Sequence, residues 1–241
     1  MNRLIPLTAL ALSTASFAAE TASQPREVAP FHALDVSGGF KVTLVPGPTA
    51  LTLRGPVDQF VHVITEVKDG TLQVRWADTA SRGLRLRRSS KGISLDLGRN
   101  DDVDVQLSAP VIDRIALSGG VELKGETPAR DRLELSTSGG TALTLSGIVA
   151  ERVVLDASGG SRLSFSGATK ALTADFSGGV ECDASKLVAA AVTIDLSGGT
   201  EVTVHAAESL KAGAAGSSEL KVLGNPATRD VKTSGSASVE Y

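Results

Sequence analysis

The sequence predicts an all-β fold: a single-domain parallel β-helix, a solenoid of ~20-residue rungs with an irregular β section on its N-terminal side. Three observations predict it. Ser-Gly-Gly recurs at Ser118, Ser138, Ser158, Ser177 and Ser197, at intervals of 20, 20, 19 and 20 residues. Apolar and polar residues alternate on both sides of each copy, which buries one face of a strand and wets the other. The 241 residues include 25 glycines but only 8 Phe, Trp and Tyr together, so the core must come from small aliphatic side chains on tightly turning backbone.

Taken in chain order, residues 1–18 have the form of a secretory signal peptide. Arg3 gives a positive start, Leu4 to Leu12 is mostly apolar, and Ser16-Phe17-Ala18 offers small residues at the cleavage positions. The apolar run falls short of the ~20 residues that a spanning helix needs. Residues 19–27 are expected to be a short linker, and 28–241 a single β-helix domain.

Between 27 and 107 the repetition is weaker. Val42 to Val45, Leu51 to Leu53, Phe60 to Val67 and Leu72 to Trp76 alternate as strands, and Asp69-Gly70 is a hairpin turn joining the last two. Ser37-Gly38-Gly39 is an isolated early copy of the repeat. This section should cover one end of the solenoid, because an open strand edge invites pairing with another chain.

From 118 onward each unit has two apolar rows around the glycine corner. Leu133/Leu135, Val153/Leu155, Leu172/Ala174 and Val192/Ile194 precede it; Leu143/Leu145, Leu163/Phe165, Cys182/Ala184 and Val202/Val204 follow it. Glycine suits the corner because it takes positive φ without a Cβ penalty, and serine can bond nearby backbone. Gly216-Ser217-Ser218 and Ser234-Gly235-Ser236 are expected as degenerate corners. Residues 184–191 are the one stretch where a short helical turn fits. An antiparallel sandwich also fits the strand spacing, but it does not account for the same tripeptide at every corner.

Phe31-His-Ala-Leu-Asp-Val-Ser-Gly-Gly-Phe-Lys-Val-Thr-Leu, Asp69-Gly-Thr-Leu-Gln-Val, Val103-Asp-Val-Gln-Leu-Ser-Ala-Pro and the Ser-Gly-Gly rungs occur in an order with a known parallel. It resembles the bacterial family described as putative auto-transporter adhesin head domains, or GIN domains, over about residues 28–241. The resemblance implies a right-handed β-helix exported to the periplasm or cell surface. That family has no established catalytic residues to carry over.

The functional content is sparse. A formal charge of −3 argues against a nucleic-acid binder. One cysteine, Cys182, excludes an internal disulfide, and its place between Leu163 and Val202 makes it a core residue. His32, His62 and His205 are isolated. Ser218-Glu-Leu-Lys221 spells a Ser-x-x-Lys dyad, but on a strand residues three apart face opposite ways. Asp156, Asp175 and Asp195 stand two residues before consecutive corners, with Asp35 in the early copy; such a ladder could bind Ca²⁺ or form a surface polar row. Asn100-Asp101-Asp102-Val103-Asp104 is a second acidic cluster without the glycine and terminal glutamate of a calcium loop. Arg82, Arg85, Arg87, Arg88 and Lys91 form a candidate polyanion-binding stretch, or a solvated loop.

The expected function is an exported, non-catalytic module with an envelope-associated binding, adhesion-like or structural role, needing no cofactor or metal. Its partner class would be cell-envelope polysaccharide or protein. The alternative is a polysaccharide-active enzyme using the aspartate ladder, which a deep groove beside those residues with an Arg or Lys reaching in would favour.

Overall fold

The structure is a computed structural model and describes residues 21–77, 85–89, 92–96, 103–127 and 130–241. Its N-terminal section holds β1 (Thr21–Arg26), β2 (Ala33–Ser37), β3 (Lys41–Pro46), β4 (Ala50–Pro56), the single turn α1 (Val57–Phe60), β5 (Val63–Lys68) and β6 (Thr71–Trp76). Among the described residues, β7 (Arg85–Ser89) and β8 (Gly92–Asp96) pair only with each other, and β9 (Asp104–Ala109) rejoins the main sheet. The repeat region follows as β10 (Arg114–Ser118), β11 (Glu122–Glu126), β12 (Arg130–Ser138), β13 (Ala142–Gly159), β14 (Arg162–Gly178), β15 (Glu181–Gly198) and β16 (Glu201–Ala214). β17 (Glu219–Leu223), β18 (Thr228–Thr233) and β19 (Ser238–Glu240) complete it.

The rungs stack in parallel and in register, as the repeat predicts. Leu135 pairs with Leu155, Leu155 with Ala174, Ala174 with Ile194, and Ile194 with Ala212. All five side chains are buried, so this column is a continuous seam of the core. A second seam runs Leu143, Leu163, Cys182, Val202, Leu220 on the far side of the corner. Stacking equivalent residues at ~4.8 Å lets one aliphatic side chain fill the space left by the next.

The glycine corners stack backbone on backbone. At Gly198, φ is 91° and an added Cβ would lie 2.8 Å from the Gly178 carbonyl oxygen. Both the dihedral and the contact exclude a side chain there. The interval of 19 also has a local cause. Ser146 and Gly147 stand between paired positions Leu145 and Ile148 of β13, whereas Ser166 alone stands between Phe165 and Gly167 of β14.

Several expectations need correction. The stretch 184–191 is not helical; it lies wholly within β15, where Leu187, Val188 and Ala189 pair with β14 and satisfy their backbone groups there. The expected linker 19–27 contains β1, antiparallel to β4 from Thr21–Pro56 to Arg26–Leu51. Phe60 belongs to α1 and not to the strand that begins at Val63. Gly216 stacks on Gly198, so the degenerate corner is Ala215-Gly216-Ser217, one residue earlier than the sequence pattern suggests. The Asp69-Gly70 hairpin forms as expected, with φ of 49° and 72°.

Chain order and stacking order differ at the N-terminal end. β2 lies between β6 and β10, and β3 lies between β9 and β11, all parallel. The early Ser37-Gly38-Gly39 copy is therefore an interior rung. Above it, antiparallel β5 covers β6, and β4 then β1 cover β9. This is the end cap that a solenoid requires.

Candidate functional site

The outward residues inherit the same register as the core, and this aligns polar side chains into columns. Asp156 pairs with Asp175 and Asp175 with Asp195, so the three carboxylates occupy consecutive rungs ~4.8 Å apart. Asp35 lies on the same column but is separated from Asp156 by Ala116 and Ser136. Below, the column continues through Gly213 to Lys232. The Asp195 carboxylate lies over Gly213, where a Cβ would come within 2.4 Å of its Oδ1. The ladder thus ends where a residue without a side chain gives the last carboxylate room.

Beside it runs the column of corner serines, with Ser158, Ser177 and Ser197 paired in sequence. Ser197 donates weakly to the Phe176 carbonyl at 3.4 Å. Ser136, Thr137, Ser138, Asp156, Ala157, Ser158, Asp175 and Ser177 line an open hollow of about 220 Å³. No Arg or Lys is among them. Among the described residues, no group of three or more His, Cys, Asp or Glu is placed to hold a metal ion. A straight row on a sheet points its carboxylates side by side, while calcium asks for oxygens converging from several directions.

A second acidic column lies past the corner. Glu181, Glu201 and Glu219 pair across successive rungs, with Arg162 next to Glu181. Arg162 meets Glu181 at 2.9 Å, and both side chains are largely exposed. The signal lay in the sequence: Glu181 and Glu201 each stand two residues past a Gly-Gly pair. The two acidic columns flank the glycine corner, the aspartates before it and the glutamates after it, and both face outward. On the same column nearer the cap, Glu122 meets Lys124 at 2.6 Å, and that hydrogen bond holds the Glu122 carboxyl below its ordinary range against a smaller opposing effect of burial.

The other candidates are dispersed. Ser218 is buried and donates to the Ala215 carbonyl at 2.6 Å, while Lys221 is exposed on the opposite face, so the two form no dyad. His32 packs against Gly70 beneath the cap, His62 follows α1, and His205 lies on β16. Burial, reinforced by the neighbouring Asp183 charge, pushes the Cys182 thiol far above its ordinary pKa. Asp104 begins β9 opposite Lys41, and residues 100–102 lie outside the described residues. Of the basic stretch, Arg85, Arg87 and Arg88 are on β7; Arg82 and Lys91 lie outside the described residues. The expected signal peptide also lies outside them. Among the described residues, no helix is long and apolar enough to cross a membrane.

Residues 30–226 match the family model described as putative auto-transporter adhesin, head GIN domain. A comparison with curated proteins yields no match. Among solved structures, a putative adhesin from Bacteroides fragilis is similar with a TM-score of 0.77 at 18% identity, covering 92% of this chain and 97% of that one. A putative adhesin from Parabacteroides merdae gives 0.66 at 13% identity, covering 92% and 95%. A putative lipid binding protein from Parabacteroides distasonis gives 0.65 at 14%, covering 91% and 96%. At these identities the likeness concerns the fold.

Proposed function

Because the chain belongs to the family described as putative auto-transporter adhesin, head GIN domain, we propose that it is an exported, non-catalytic binding module. It acts at the cell envelope, in the periplasm or at the cell surface, and its partner is an envelope polysaccharide or protein. The observation that carries this reading is the exterior of the rungs. Register stacking presents exposed hydroxyl and carboxylate columns on a rigid, open sheet face, with Asp156, Asp175 and Asp195 beside Ser158, Ser177 and Ser197. Such a face offers repeated hydrogen-bonding groups at ~4.8 Å spacing, suited to an extended polar partner. A deep groove beside the carboxylates with an Arg or Lys reaching in would favour a polysaccharide-cleaving enzyme. The hollow there is open and lined by serine, threonine, alanine and aspartate.

The test is a glycan array and an envelope pull-down with the chain lacking residues 1–18. The expected result is retention of one class of envelope polymer by the wild type. The Asp156→Asn, Asp175→Asn, Asp195→Asn triple variant should retain it several-fold less, since ionised acceptors make hydrogen bonds roughly twice as strong as neutral ones. Depolymerisation of any array glycan by the wild-type protein would overturn the reading. So would the absence of any retained partner.

A further inference from the structure

The two ends of the solenoid are finished differently. At the N-terminal end, β1 lies outermost and carries Pro25, which has no N–H to offer a further strand. At the other end, β18 pairs with β16 and β19 with β17, each on one side only among the described residues. Val231, Ala237 and Val239 are only partly buried against the end of the core. Both strands lie outside the residues 30–226 that match the family model.

The open edge of β18 has a definite hydrogen-bonding pattern. Ser234 donates its backbone N–H to the Ala214 carbonyl at 2.9 Å. Successive residues of a strand present their N–H and C=O groups to alternate edges. Asp230 and Lys232 therefore turn theirs toward β16, while Arg229, Val231 and Thr233 turn theirs to the open edge. The side chains alternate too, with Val231 toward the core and Asp230 and Lys232 exposed on the outer face.

We propose that this edge is a self-association surface, on which a second copy of the chain docks tail to tail. The two β18 strands run antiparallel about a two-fold axis at Val231. Val231 then faces Val231, and Arg229 faces Thr233, as hydrogen-bonded pairs that together exchange about six backbone bonds. Asp230 of each copy faces Lys232 of the other, twice over by symmetry. The charges select this register. Moving the axis to residue 230 would oppose two aspartates, and moving it to 232 would oppose two lysines; opposed like charges are destabilising. The occupant is a second copy because the edge is complementary to itself under a two-fold axis, an isologous contact that closes at the dimer. Docking also covers the exposed end of the core at Val231, Ala237 and Val239. This inference is independent of the proposed binding role.

The test is analytical ultracentrifugation of the chain lacking residues 1–18, with thermal unfolding as the control for folding. The wild type should show a monomer–dimer equilibrium. Asp230→Lys and Lys232→Asp, each on an exposed position, should each weaken the dimer about tenfold or more without lowering the melting temperature of the monomer. The double swap Asp230→Lys, Lys232→Asp restores opposite charges and should restore the dimer. A wild type that stays monomeric at high micromolar concentration overturns the proposal. Growth into open polymers, a dimer indifferent to both single reversals, or a double swap that fails to rescue would also overturn it.

Discussion

Trp76 donates a hydrogen bond from its indole Nε1 to the Gly38 carbonyl oxygen at 2.6 Å. The same ring stacks on Phe40, with centroids 4.7 Å apart and planes within 11°. The cap thus closes on the corner of the interior rung through an aromatic side chain. Gly38 has φ of 99°, and an added Cβ would sit 2.7 Å from the Trp76 ring. Gly38→Ala should destabilise the protein by about 1–3 kcal/mol through backbone strain, with the ring displaced in addition. Trp76 is the sole tryptophan, so its fluorescence reports the event directly. Unchanged emission and melting temperature would disprove this account of the cap.

The register predicts opposite responses at neighbouring rungs. Leu155 is 2% exposed, and Leu155→Asp would bury a charge without a partner, which should unfold the coil. Arg162→Ala removes an exposed ion pair with Glu181 and should change stability within about 0.5 kcal/mol. Chemical denaturation of the two variants separates them, and a folded Leu155→Asp protein would refute the assignment of that face.

Inside the corner, the Ser161 hydroxyl accepts from Thr137 Oγ1 at 3.2 Å, approaches Thr141 Oγ1 at 3.0 Å and donates to the Ser158 carbonyl at 3.1 Å. All three hydroxyl side chains are buried. Ser161→Ala would leave buried hydroxyls short of a partner, at a cost of about 1–3 kcal/mol. A loss no larger than that of an exposed serine, such as Ser138→Ala, would show the network to be energetically idle.

For the aspartate ladder, replacing Asp156, Asp175 and Asp195 with Asn should leave stability equal or slightly higher, by relieving repulsion between stacked carboxylates. Calcium should not raise the melting temperature of either protein. A bound ion at one hundred times its dissociation constant would add about 2.7 kcal/mol, readily detected in a melt. A shift present in the wild type and lost in the triple variant would make the ladder a metal site.

Cys182 offers a reporter of local opening. Its thiol is buried and its ionisation suppressed, so it should resist thiol-modifying reagents at neutral pH and react only as the rungs open. Fast labelling under native conditions would place the side chain outside the core.

Much of this was written in the residue pattern. Alternation with period two is local, so Leu155, Ile194 and Cys182 could be placed inward, and the aspartates outward, from spacing alone. The repeat of a tripeptide set which residues would share a column, because stacking in register carries identical phases onto one another. Glu181 and Glu201 were equally accessible by that logic, whereas Glu219 joins their column only because the corner there is Ala215-Gly216-Ser217.

Tertiary structure decided which edges meet. Nothing within residues 33–46 says that this rung must lie between β6/β9 and β10/β11, since both partners are distant in sequence and any parallel edge offers the same hydrogen bonds. The alanine-rich stretch 184–191 has local preferences that suit a helix. It becomes a strand because β14 presents unpaired backbone along its length, and those bonds outweigh a short helix's few. The corner at Gly216 slips by one residue for a similar reason: the glycine above it leaves no room for a Cβ, and the chain shortens its turn to bring a glycine there. Local pattern specifies faces, and long-range hydrogen bonding and packing specify neighbours.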